Sequence, residues 1–236
     1  VIRYQPRSRG LGDVYKRQTL SKTFRSMALS AFLLPLTRLF AWLTVDGADH
    51  IKSTTGPVLF AANQQSHLDA PVILNALPRT RRHTVATAAA LEWFSAHFYP
   101  LRFSWWAKKR SSLSYCLTAL CFNIVPLPQR ETGTRDAMRY LGTLLDNCSS
   151  VLIFPEGRRA KTTTINQFRP GVGMLAAQLE VPVIPVRIEG INKIWPEGRR
   201  IPRVGRAHVT FGPAMQFNGS DYEEIAQQIE DAVKAL

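Results

Sequence analysis

Two short stretches hold the polar residues best placed for chemistry. The first is Asn63-Gln64-Gln65-Ser66-His67-Leu68-Asp69-Ala70-Pro71. It follows the apolar run Pro57-Val58-Leu59-Phe60-Ala61-Ala62, with the length and content of a buried strand. It precedes Val72-Ile73-Leu74-Asn75-Ala76-Leu77, a short helix that ends at Pro78. Loops between a strand and a helix are where α/β folds place chemistry. Asp69 before Ala70-Pro71 also suits a helix N-cap, with proline tolerated in the first turn. The second stretch is Pro155-Glu156-Gly157-Arg158-Arg159, directly after the apolar strand Val151-Leu152-Ile153-Phe154. Gly157 permits a tight turn and close approach of a ligand to the backbone. Glu156 at the carboxyl end of a strand can accept from a substrate hydroxyl, and arginines suit phosphate because their planar fork donates paired hydrogen bonds.

The elements that would position these stretches alternate between strand and helix. Thr84–Ala89 reads as a strand and Leu91–Phe94 as a helix start. Ser111–Phe122 and Thr134–Cys148 read as helices, the latter amphipathic through Ala137, Met138, Leu141, Leu144 and Leu145. Phe168-Arg169-Pro170-Gly171 opens a helix through Met174, Leu175 and Leu179. Val181–Val186 is an apolar strand in which Pro185 marks an edge strand or a strand end. Ala207–Phe211 is a last strand, and Tyr222–Leu236 a charged amphipathic helix. This order predicts an α/β fold, a mixed and largely parallel sheet flanked by helices.

The two stretches, with two others, resemble the motifs of the glycerolipid acyltransferases, the family of bacterial 1-acylglycerol-3-phosphate acyltransferases. The first family motif reads Asn-His-x-Ser-x-x-Asp. Asn63, Ser66 and Asp69 match it, and Gln64 stands at the histidine position. Asn123–Arg130 resembles the second, a short strand leading to an arginine that helps hold the glycerol phosphate, here Arg130. Pro155–Arg159 resembles the third, Phe-Pro-Glu-Gly-Thr-Arg: Glu156, Gly157 and Arg159 map directly, and Arg158 replaces the threonine. Val181–Val186 resembles the fourth, which helps form the acyl site, here Val183, Ile184 and Pro185. Ala90 stands where the family often has a lysine, two residues before Glu92. The resemblance spans about residues 51–213 in family order.

What the resemblance implies is transfer of a fatty acyl group from a thioester, acyl-CoA or acyl carrier protein, to the hydroxyl of lysophosphatidic acid in phospholipid synthesis. It implies direct transfer with no bound cofactor and no metal. In the family the histidine takes the hydroxyl proton while the aspartate fixes its tautomer and steadies its charge. An amide does not titrate near neutral pH, so Gln64 cannot take that proton. His67 lies two residues from Asp69, where the motif asks for five. Slow or absent turnover with retained ligand binding is therefore expected, and a non-catalytic lipid-binding protein of the same fold is the alternative.

Composition narrows the partners. The chain of 236 residues is 45% hydrophobic and carries a net charge of +13, which points to an anionic partner. Cys116, Cys121 and Cys148 have no metal-ligand spacing and read as small buried hydrophobes. Phe98–Trp106 followed by Lys108-Lys109-Arg110 fits a belt at a lipid surface, a stacking surface for single-stranded nucleic acid, or a solvated charge run beside core aromatics. The motifs favour the lipid surface and no nucleic acid. Residues 19–50 are read as an N-terminal amphipathic, membrane-interface segment. Met27–Val45 is mostly apolar but holds Pro35 and Arg38, marginal for a spanning helix and better suited to lying in the interface; a core-packing helix is the other reading.

The expected location is the cytoplasmic face of a membrane, as a peripheral or monotopic protein. The acyltransferase domain is expected over residues 51–236. Residues 1–18 are set apart, because Asp13–Gln18 back-translates to GAT GTG TAT AAG AGA CAG, the end sequence of a transposon used in sequencing libraries. They are read as an adapter artefact with no packed role, and an upstream domain is expected to be missing. Removing their five basic residues and one acid takes the net charge from +13 to +9.

Overall fold

A computed structural model describes residues 29–90, 124–127, 134–147, 149–157, 164–196, 199 and 201–236. Residues 1–18, Leu91–Phe94, the aromatic and basic run from Phe98 to Arg110, the helix expected over Ser111–Phe122, the three cysteines, Arg130, Arg158 and Arg159 lie outside them.

After a π-helical turn, Leu29–Leu33, the chain forms α1 (Leu34–Phe40), β1 (Ala41–Asp46), α2 (Ala48–Ser53), β2 (Leu59–Ala62), α3 (Asp69–Ala76), α4 (Arg79–Arg82) and β3 (Val85–Ala90). Then come β4 (Ile124–Leu127), α5 (Thr134–Asp146), β5 (Ser150–Ile153), α6 (Gly171–Leu179), β6 (Val183–Glu189), α7 (Ile191–Ile194), β7 (Gly205–Phe211) and α8 (Tyr222–Ala235). The described strands make one sheet of seven in the order β1-β7-β6-β2-β5-β3-β4. All neighbours are parallel except β6 and β7. The mixed, largely parallel sheet is the one the alternation of elements predicts.

β2 is the centre. It pairs with β5 through Leu59↔Val151 to Ala61↔Ile153, and with β6 through Leu59↔Val183 to Ala62↔Val186. A strand buried on both faces needs apolar residues at every position, and all four residues of β2 are buried. Its alternation sorts them into two layers. Phe60 and Ala62 join Ile184, Val186 and Ile188 beneath α1, α2 and α3. Leu59 and Ala61 join Val151, Val183 and the inner faces of α5, α6 and α8. Phe60 is fully buried and meets Phe211 edge-on, ring centres 6.2 Å apart. Burying such a side chain contributes about 1.5–3 kcal/mol.

Pro185 corrects the sequence reading. It lies inside β6, between β2 and β7, and not on an edge. Val183 bridges to Met215 and Val186 pairs with Phe211. Two residues on β6 therefore face three on the other strand, a β-bulge. The Pro185 carbonyl accepts from Gly212 N at 2.9 Å. Proline is tolerated inside a sheet at such an interruption, where the ladder lacks a regular partner for the missing N–H.

The single helix expected over Met27–Val45 is not what forms: α1 ends at Phe40 and packs by one side only, and Ala41–Asp46 enters the sheet as β1, paired with β7. Leu34 and Thr37 of α1 are buried, and the Leu34 carbonyl accepts from Asn75 Nδ2 at 3.2 Å. No helix among the described residues is long and apolar enough to cross a membrane.

Candidate active site

The loop after β2 is held at nearly every residue. Asn63 comes first, and its amide behaves as one more peptide unit of the strand. Its Nδ2 donates to the Ile188 carbonyl at 3.0 Å, and its Oδ1 accepts from Ile188 N at 2.7 Å. The pairing of β2 with β6 is thus extended past the last backbone pair, Ala62↔Val186. Gln64 follows, 6% exposed, with its backbone N–H donating to Glu156 Oε1 at 2.6 Å.

Asp69 closes the loop from its other end. It is 1% exposed, and its Oδ2 accepts from Gln65 N at 2.6 Å and Ser66 N at 2.7 Å. The expected N-cap role is not the one it takes. Leu68 occupies the cap position without a side-chain bond, Asp69 is the first helical residue, and its carboxylate turns back onto the loop. Ser66 Oγ donates to the Trp195 carbonyl at 2.8 Å, which ties the loop to the end of α7. His67 is exposed, its ring 5.9 Å from the Trp195 ring.

The second stretch lies beside the first because β2 and β5 are parallel neighbours, so their carboxyl ends are adjacent. Gly157 takes a φ of +66°, and its N–H closes the turn on the Phe154 carbonyl at 3.2 Å. A Cβ added there would stand 2.6 Å from Arg169 Nε. Glycine at this position therefore serves both the turn and the approach of the Arg169 guanidinium.

Glu156 is 3% exposed, and both of its oxygens are engaged. Oε1 accepts from Gln64 N, and Oε2 from Asn166 N at 2.9 Å and Asn166 Nδ2 at 2.6 Å. The sequence suggested that this carboxylate accepts from a substrate hydroxyl; in the structure it joins the two loops and the segment before α6. Burial raises its pKa above the usual glutamate range, against the hydrogen bonds from Gln64 and Asn166, and the Glu230 charge raises it further.

Of the expected site residues, Gln64, Asp69, Glu156 and Gly157 come together at the carboxyl ends of β2 and β5. Val183, Ile184 and Pro185 are buried on β6, level with β2 itself rather than with its loop, and Val183 and Ile184 enter opposite apolar layers. Arg130, Arg158 and Arg159 are outside the described residues.

Two supports escaped the sequence reading. Asn166 carried no signal. Glu230 did: it stands on the stripe of α8 that buries Ile225, Ala226, Ile229 and Val233. A carboxylate on an apolar stripe needs a partner. Glu230 Oε2 accepts from Phe168 N at 2.6 Å, and its Oε1 meets Lys234. The arrangement fixes the backbone around position 64. The side chain there can give or accept a hydrogen bond, and it has no basic nitrogen to take a proton.

The sequence model of the family described as Acyltransferase matches residues 43–189, more than half of the chain. The chain is 25% identical over 192 residues to the chloroplastic 1-acyl-sn-glycerol-3-phosphate acyltransferase LPAT1 of Arabidopsis thaliana, covering 80% of this chain and 46% of that protein. It is 32% identical over 106 residues to the 1-acyl-sn-glycerol-3-phosphate acyltransferase of Pseudomonas aeruginosa, covering 43% and 41% of the two chains. The chain spans about half the length of the curated relatives it matches. The crystal structure of the 1-acyl-sn-glycerophosphate acyltransferase PlsC from Thermotoga maritima superposes with a TM-score of 0.60 at 24% identity, covering 95% of this chain and 86% of that one, a likeness of fold. The family match runs from β1 through β6 and over both loops, and the chain belongs to the acyltransferase family.

Proposed function

We propose that this protein carries a site for acyl transfer from a thioester, acyl-CoA or acyl carrier protein, to the hydroxyl of 1-acylglycerol-3-phosphate, with turnover impaired by Gln64. The observation that carries the reading is the bond from Gln64 N to Glu156 Oε1 at 2.6 Å, which draws two family motifs 92 residues apart into one site. The acceptor oxygen would attack the thioester carbonyl, the C–O bond would form and the C–S bond break. The hydroxyl proton would end on the departing thiol. With Gln64 in place the proton has no imidazole to pass through, and it leaves by water or by the substrate's own groups. General-base help is typically about 10²–10⁴-fold, so loss on that scale is expected with binding kept.

Arg130, Arg158 and Arg159 are proposed for the glycerol phosphate, and Val183, Ile184 and Pro185 for the acyl chain. Asp69 is proposed to orient an imidazole at position 64 when one is present. Glu156 is proposed as a positioning residue, because its oxygens are occupied inside the protein. The site is proposed to work at the cytoplasmic face of a membrane. Gln64 itself favours a second reading, a lipid-binding protein that performs no transfer.

The reaction class is tested with the Gln64→His protein, an acyl thioester, and lysophosphatidic acid, glycerol 3-phosphate or no acceptor. Phosphatidic acid made only with lysophosphatidic acid supports the proposal. Thioester hydrolysis without an acylated lipid, or no consumption in any mixture, contradicts it.

A further inference from the structure

We infer that Glu230, on the last helix α8, is a positioning residue for acyl transfer: through Phe168 and Asn166 it sets the aim of Glu156, and through Glu156 the backbone at position 64. The inference rests on the proposed reaction for its kinetic readout only. Glu230 lies beyond residues 43–189, where the family model matches.

The path of contacts starts inside the protein. α8 buries Ile225, Ala226, Ile229 and Val233, and Glu230 shares that face at 4% exposed. An acid there is unfavourable unless its oxygens find donors. Oε1 takes Lys234, one turn along the helix, and Oε2 takes Phe168 N at 2.6 Å. The second bond reaches across 62 residues to Ile165–Arg169, a segment that is neither helix nor strand.

Such a segment has no ladder to fix it, so its place is set by what its N–H groups meet. Asn166 N and Phe168 N both end on buried carboxylates, the first on Glu156 and the second on Glu230. Asn166 adds its Nδ2 to Glu156 Oε2 at 2.6 Å, and Arg169 N donates to the Pro155 carbonyl at 3.1 Å. The segment is held by α8 on one side and by the turn of Glu156 on the other. The Phe168 side chain, itself buried, joins the apolar layer of Ile225 and Ile229.

α8 is a firm base for this hold. A Cβ added to Gly173 of α6 would stand 2.1 Å from the Tyr222 carbonyl oxygen, so α6 and α8 meet backbone to backbone. Arg187 of β6 donates to the Lys234 carbonyl at 2.7 Å. The two carboxylates also sense each other: burial raises the pKa of Glu156, and the Glu230 charge adds to the rise. Packing alone would be served by a leucine on this stripe. A carboxylate adds direction, a fixed acceptor for one N–H two residues from the bonds that orient Glu156.

The test has two arms. In the chain as written, hydrogen exchange at residues 63–69 is followed by mass spectrometry under native conditions. Glu230→Leu keeps the stripe apolar and removes the acceptor; it should speed exchange there by roughly tenfold, the scale of one hydrogen bond to a charged group. Glu230→Gln keeps an acceptor and should stay within about threefold of the parent. Val233→Ala, on the same buried stripe, should leave exchange there near the parent's. The second arm adds Gln64→His to each and follows thioester consumption with lysophosphatidic acid. Glu230→Leu should lower kcat on the order of 10- to 100-fold, the scale of a misplaced group, with KM for both substrates within about threefold. In a Glu156→Gln background the same change should lower kcat little further, since the path runs through Glu156. Asn166→Ala breaks the next link with α8 untouched and should reproduce both effects, whether or not Glu230→Leu folds. Unchanged exchange in Asn166→Ala or Glu230→Leu, equal effects from Val233→Ala, or a full further loss in the Glu156→Gln background overturns the inference. If the Gln64→His chain transfers nothing, the proposed reaction fails, and the exchange arm alone decides the positioning role.

Discussion

Two buried carboxylates stand on adjacent loops and hold backbone in different ways. Asp69 works locally: its Oδ2 takes the N–H groups of Gln65 and Ser66, four and three residues before it. Glu156 works at long range, bonding Gln64 across 92 residues and Asn166 across 10. The first shapes a loop, and the second fastens that loop to two other parts of the chain. Both act on backbone N–H groups, which are the same whatever side chain occupies position 64. The difference teaches that the scaffold around the site is independent of the titrating group the family places there, so binding geometry can persist where proton transfer is lost.

The largest effect that sharpens this comparison is on rate. Asp69→Asn should slow acyl transfer by roughly 10²-fold or more when position 64 is His, on the scale of general-base help. It should scarcely change the rate when position 64 is Gln. Four thioester-consumption assays complete the cycle, and equal losses in both backgrounds would show that Asp69 acts on the loop alone.

Stability separates the two carboxylates next. Glu156→Gln puts an amide NH₂ against backbone or Asn166 donors and should cost about 1–3 kcal/mol in urea unfolding. Asp69→Asn retains a carbonyl oxygen for the loop and should cost less, about 0.5–1.5 kcal/mol. A reversed order would break the distinction between the local and the long-range brace. Asn63→Ala removes both partners of Ile188 and should cost about 1–2 kcal/mol by the same measure, since a buried peptide group is left without bonds.

The smallest effect is on pH dependence. The pKa of Glu156 is raised on folding, so its contribution to stability is complete below the unfolded glutamate value and is lost as pH rises through the folded value. The stability gap between the protein and Glu156→Gln should therefore narrow from pH 4 upward. A gap that widens over that range would mean that the hydrogen bonds outweigh burial.

Much of this was legible in the sequence. Apolar runs placed β2, β3, β5 and β6 within two or three residues, because buried parallel strands must be apolar along their length. The Asp69 brace was half legible: a carboxylate at a helix start was evident, and its turn backward rather than into the helix was not. The Glu156 contacts were illegible, since nothing local in Pro155-Glu156-Gly157 announces partners at Gln64 and Asn166. Pro185 was misread because a bulge depends on the partner strand, where residues 212–214 oppose Ile184 and Pro185. Glu230 was visible as a lone acid on an apolar stripe, but its partner Phe168 N was not.

The measurement that bears most directly on the account compares the chain as written with Gln64→His for thioester consumption at saturating lysophosphatidic acid, in the same membranes, alongside the affinity of each for that lipid. The account predicts a rate gain of about 10²–10⁴-fold with affinity little changed and the unfolding midpoint preserved. Equal rates in the two proteins would contradict it, and would return the proton to His67 or to the substrate.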